Sequence, residues 1–137
     1  MSATAAKLSA FISSRNCEPF KWGENDCCLL VADWVLFATG NDVADDFRGK
    51  YCTKRGAFKQ LFKRGLNDVE SVFKDRLNPA IPINYARRGD LALVEFKDEH
   101  VGGIVTVNSV VCVGENGLVT LPMDTVKAAY PLEPRNV

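Results

Sequence analysis

Two adjacent cysteines, Cys27 and Cys28, follow Asn25 and Asp26 where an apolar run begins, DCCLLVADWVLFATG. If Asn25 or Asp26 caps a helix there, both thiols lie in its first turn, where unpaired backbone N–H groups and the helix dipole favour negative charge. Such a position favours the thiolate, the nucleophilic form, and can hold a cysteine below its free pKa of about 8.5. The same two residues would serve equally as small apolar packing groups, as free cysteines often do. A thiol nucleophile needs a base within hydrogen-bond reach, and His100 is the one histidine of the chain. It follows Lys97-Asp98-Glu99 and opens the run HVGGIVTVN, which places it at a sheet edge near solvent, where an imidazole can face a helix terminus. A lone histidine in that setting is also an ordinary surface residue.

The elements that must hold these groups change character along the chain. Leu8, Phe11 and Ile12 recur at helical spacing in residues 3–15, and after a loop with Pro19 and Gly23 the Cys27 run is apolar almost all the way round and closes at Gly40. A helix without a polar face is a central, buried one. Residues 54–64 and 67–77 read as two shorter amphipathic helices at the periphery, the first ended by Gly65 and the second capped by Asn67. After NPAIPINYARRGD the period changes: LALVEF, HVGGIVTVN, SVVCVG, GLVTLP and TVKAAYPL are short β-branched runs parted by turn residues, which predicts an antiparallel meander of about five strands. Helices followed by a contiguous sheet make an α+β domain, taken here as one unit over residues 1–137.

Composition narrows the chemistry. A chain of 137 residues, 47% hydrophobic, can build one core. Seventeen Lys and Arg balance 17 Asp and Glu, so no net field draws it to nucleic acid or anionic lipid. No run approaches the roughly 18 apolar residues of a membrane span, and the amino terminus reads as an amphipathic helix rather than a signal peptide. The five cysteines (Cys17, Cys27, Cys28, Cys52, Cys112) contain no CxxC pair, and with a single histidine they do not supply a zinc ligand set. No metal and no other cofactor is expected. A core of this size dispenses with a disulfide scaffold, and a reducing compartment fits. Oxidation of the vicinal pair would close a strained eight-membered ring, which sets a redox role aside.

In order along the chain stand FKWG at residues 20–23, Asp26-Cys27 with Leu30 three residues beyond the cysteine, Gly89-Asp90-Leu91, and His100-Val101-Gly102. With this set the sequence resembles the NlpC-type papain-like cysteine peptidases. DWV at 33–35, TGND at 39–42 and FRGKY at 47–51 further resemble a compact branch found in bacteriophage tails. The resemblance spans roughly residues 18–122 and implies a papain-like domain in which Cys27 is the nucleophile and His100 the general base. Asp26 would cap and orient, Trp22 and Gly23 would shape the cleft wall, and backbone N–H groups at the helix start would stabilise the oxyanion. Family members usually carry a polar residue, often histidine, on the strand after the base. Here SVVCVGENG has none, Cys112 lying about where one would fall, so the third catalytic residue is unassigned. The implied function is a peptidase or amidase acting on peptidoglycan stem peptides during genome entry or tail assembly. Its partners would be other tail-tip proteins, and its location the phage virion or the cytoplasm of the producing bacterium. The alternative keeps the fold but makes the chain an inactive component that plugs or caps the tail hub.

Overall fold

In the computed structural model, which describes residues 2–135, four helices precede a five-stranded sheet, the α+β arrangement expected. The amino-terminal segment forms α1 (Ala3–Arg15), capped by the Ser2 hydroxyl, and buries Leu8 and Phe11. The apolar run forms α2 (Cys27–Thr39), which starts at the Asp26 side chain and stops at Gly40, where φ is +81°. A left-handed residue at that point is what glycine supplies without strain. α2 lies between α1 and the sheet and buries residues 29–32, Trp34 and Val35. Its last turn departs from the expected full burial. Leu36 and Phe37 are 39% and 51% exposed, and the Phe37 ring rests against Phe11 and Trp34 at the end of the core. Its one acidic residue beyond the cap, Asp33, is neutralised by Arg15 at 2.8 Å and Arg48 at 2.7 Å.

The peripheral pair are α3 (Lys54–Lys63), which buries no residue, and α4 (Val69–Arg76), which buries only Phe73. α4 is capped by Asp68 in a reciprocal box with Ser71, one residue after the expected Asn67. Asp68 wins because its carboxylate reaches the Ser71 N–H at 2.7 Å while the Ser71 hydroxyl returns to the Asp68 N–H.

The sheet comprises β1 (Leu91–Phe96), β2 (Glu99–Val105), β3 (Ser109–Gly114), β4 (Gly117–Pro122) and β5 (Val126–Tyr130), antiparallel throughout, in the order β4-β3-β2-β1-β5. The meander holds for the first four strands; β5 leaves the series and returns beside β1. Alternation divides the faces. Leu91, Leu93, Ile104, Val111 and Val113 join the α2 core, while Ala92, Val94, Val105, Val110 and Cys112 form a second, smaller cluster with Val126 behind the sheet.

Two features of β2 set the site. The β1–β2 turn is only Lys97 and Asp98, at φ 52° and 63°, the double left-handed geometry that matches strand twist. Glu99 and His100 therefore belong to the strand, with Glu95 opposite His100. Pairing with β3 covers only Ile104↔Val111 and Val105↔Val110. Just beyond, a Cβ at Gly102 would stand 2.8 Å from the Cys27 carbonyl oxygen, so glycine is what lets the start of α2 lie against the strand.

Candidate active site

The loop before α2 is tied to itself and to the sheet. Lys21 and Asn25 exchange backbone hydrogen bonds, the Asn25 amide donates to the carbonyls of Glu18 and Pro19, and the Phe20 N–H donates to the Gly114 carbonyl at the end of β3. These bonds deliver Asp26, 1% exposed, to the head of the helix. One carboxylate oxygen accepts from the Leu29 N–H at 3.0 Å; the other accepts from the Gly23 N–H at 3.0 Å and from the Tyr51 hydroxyl at 2.5 Å. Three donors satisfy a charge that burial would otherwise penalise. Asp26 is thus the helix cap that the sequence predicts. Gly23 belongs to that support rather than to a cleft wall. Its φ is +82° and a Cβ there would lie 2.1 Å from the Tyr51 carbonyl oxygen.

Cys27 and Cys28 are half-buried at this helix start. A Cys27 thiolate accepts from the Cys28 S–H and from the N–H groups of Gly102 and Cys28. These donors outweigh burial and the neighbouring Asp26 charge and draw the Cys27 pKa below the ordinary thiol value. Cys28, the donor of that pair and desolvated by the protein around it, is held well above it. Of two residues that position alone leaves equivalent, Cys27 is the one whose surroundings favour the thiolate, and Cys28 is the one that donates to it. Leu29 and Leu30 spend their N–H groups on Asp26. Among the described residues the Cys27 and Cys28 N–H groups bond to no oxygen; the Cys27 N–H is free for one placed beside the sulfur, and the Cys28 N–H becomes so once the sulfur has spent its charge on a new bond. Cys112 faces the other side of the sheet, where burial pushes its thiol up to about 12, so it is no substitute for the missing third residue.

His100 is exposed and shares the helix-facing side of β2 with Gly102, one pleat further along, about 6.6 Å by strand rise. It stands at the end of the middle strand of the sheet rather than on an edge strand. Its side chain makes no hydrogen bond or ion pair among the described residues. Directly across the ladder is Glu95, whose carboxylate is 3.3 Å from Lys127.

Cys27 and Cys28 line an apolar cavity of about 80 Å³ roofed by α3, with Trp22, Ala32, Phe47, Leu61 and Val72 also in its lining. Trp22 is therefore a wall residue, set edge-on to Phe20 with ring centres 4.9 Å apart. His100 is not part of that lining. Tyr51, also in the wall, closes the FRGKY segment, but the sequence assigns it no role. It lies 25 positions from Asp26 in an irregular segment, and only the fold brings its hydroxyl there.

A family model described as a domain of unknown function, DUF6950, matches residues 1–132. The chain belongs to that family. No curated protein matches it. Among solved structures, the DUF6950 chain is similar to RipD from Mycobacterium tuberculosis, described as a non-catalytic NlpC/p60 domain protein adapted to a peptidoglycan-binding function. The two are 11% identical with a TM-score of 0.47, over 96% of this chain and 98% of that one. Residue roles in the DUF6950 chain therefore rest on its own geometry.

Proposed function

We propose that this chain is a cysteine peptidase or amidase in which Cys27 attacks an amide carbonyl and His100 serves as general base. The observation that carries the reading is the Cys27 sulfur at the capped head of α2, where Cys28 and Gly102 favour its thiolate. His100 takes the thiol proton, the sulfur adds to the carbonyl, and the leaving amine departs with that proton. Water then releases the acid and restores the thiol. The Cys27 and Cys28 N–H groups receive the developing oxyanion. Glu95, opposite His100 on the same face, takes the third position by orienting the imidazole, a role the family usually gives to the following strand. The β2–β3 ladder covers only residues 104 and 105 of β2, so it sets no β3 residue opposite His100. The ordered FKWG, Asp26-Cys27, Gly89-Asp90-Leu91 and His100-Val101-Gly102 elements support peptidoglycan stem peptides as substrate, and DWV, TGND and FRGKY support a place in a phage tail tip or in the producing bacterium.

The test is release of new amino groups from purified peptidoglycan by the wild-type protein, Cys27→Ser and His100→Ala. Hydrolysis by the wild type alone is expected, with at least about 100-fold loss in either variant. Equal release by all three would overturn the assignment. A second reading, an inactive tail-tip component, draws on the exposed His100 side chain lying outside the cavity lining. It predicts no release by any of the three, and tail assembly that survives Cys27→Ser but not deletion of the chain.

A further inference from the structure

Resting on the thiol-nucleophile reading, we infer that the substrate carries a short aliphatic group on the acyl side of the scissile amide, seated in the cavity beneath α3. Cys27 and Cys28 both line that cavity, so an acyl group bonded to the Cys27 sulfur has its substituent beside it. Beyond the thiols the walls are almost wholly apolar. The one charged lining residue, Arg76, is committed elsewhere: its guanidinium bonds Asp46 at 2.7 Å and lies 5.1 Å from the Phe47 ring centre. The Tyr51 hydroxyl is likewise taken by Asp26. Nothing there answers a carboxylate or an ammonium group, and burying either without a partner is strongly unfavourable.

Size narrows the class further. A cavity of about 150 Å³ holds a benzene-sized guest, so about 80 Å³ takes an alanine- or valine-sized group and refuses a ring. Entry is permitted by the roof. α3 buries no residue of its own, and it is flanked by Gly49 and Gly65 at φ +76° and +74°. In the acylation step the S–C bond forms as the C–N bond breaks and the amine leaves protonated. Water then returns the aliphatic acid and the free thiol.

The experiment uses N-acetyl-glycyl, alanyl, valyl, aspartyl and phenylalanyl chloromethyl ketones, with iodoacetamide as a reagent lacking any side chain to seat. Labelling is read by intact mass and assigned to Cys27 by peptide mapping. The expected result is that the alanyl and valyl reagents outrun the glycyl one by about 10-fold or more, with the aspartyl and phenylalanyl reagents slower than glycyl. Ala57→Leu, which narrows the cavity from the roof, should bring the valyl-to-glycyl ratio down towards one. Cys27 alkylated by iodoacetamide but indifferent to the side chain, or fastest with the aspartyl reagent, overturns the specificity and leaves the nucleophile standing. Labelling confined to the exposed Cys17 and Cys52 overturns both.

Discussion

Asp26 and Tyr51 show how a negative charge can stand beside a thiolate without suppressing it. The Asp26 charge opposes ionisation of Cys27, while its three donors drain that charge and fix its position. Burial and the same carboxylate raise the Tyr51 phenol above its ordinary value, so it stays a donor through the whole range in which the thiol titrates. Tyr51→Phe removes one charge-assisted bond, worth about 1.5–3 kcal/mol, and returns negative charge to the neighbourhood of the sulfur. The iodoacetamide rate of Cys27 plotted against pH should therefore reach half its plateau at higher pH in Tyr51→Phe than in the wild type, while Cys17 and Cys52 keep their profiles. A merely structural tyrosine would lower the melting temperature and leave the Cys27 profile where it was. Asp26 itself was legible, because a cap acts within three residues of the helix it starts. Tyr51 was not, because no local pattern announces a bond across 25 residues. Glu95 was hidden for a different reason. Lys97-Asp98 lacks the glycine that usually marks a two-residue hairpin, so the turn reads as longer in the sequence and does not give the register that sets Glu95 against His100.

Among the elements, α2 and the strands were legible because burial itself writes their pattern, as the apolar run from Leu29 to Val35, broken only by Asp33, and the alternation of Leu91 and Leu93 with Ala92 and Val94 show. The return of β5 beside β1 was not, since adjacency of non-sequential strands depends on contacts rather than period. α3 and α4 owe little to burial and more to charge. Asp46 lies between them, bonded to Arg76 at 2.7 Å and to Arg64 at 2.7 Å, and both guanidinium groups stack on the Phe47 ring. Arg76 first, then Arg64, holds the Asp46 carboxyl far below the usual carboxylate range. A depressed carboxyl stabilises the fold above the unfolded pKa of about 3.9 and loses that contribution as pH falls toward the folded value. The side chain is 40% exposed, so solvent screens the pair and the contribution is about 1 kcal/mol at most. Asp46→Asn should melt a few degrees below the wild type at pH 7, and the gap should shrink steadily below about pH 4. A gap that stays constant from pH 7 to pH 2 would mean that Asp46 acts through packing rather than charge.

For the whole molecule, the helical layer and the sheet meet closely at Gly102, and the proposed chemistry depends on that spacing. The N–H of Gly102 faces the Cys27 sulfur, while its missing side chain admits the first turn of α2. A Cβ there would lie 2.8 Å from the Cys27 carbonyl oxygen, 2.8 Å from the Phe73 ring and 3.0 Å from Val31, so contacts from α2 and α4 converge on one point. None of the three neighbours is the free end of a flexible chain. Two are held by the core and one is backbone, so relief requires the layers to part. Overpacking of this kind costs about 1–3 kcal/mol, which for a chain of this length corresponds to roughly 3–10 °C in melting temperature. Gly102→Ala should show that loss in thermal or urea unfolding, and Cys27 alkylation should move to higher pH because the Gly102 N–H is drawn away from the sulfur. Gly103→Ala provides the contrast. Its Cβ would press on Val110 and Cys112 on the opposite face, destabilising the sheet without separating it from α2, so its alkylation profile should match the wild type. Were the two substitutions to move that profile equally, the thiolate would be answering to general loosening of the fold, and the close seat of α2 on β2 would have no separate part in activating Cys27.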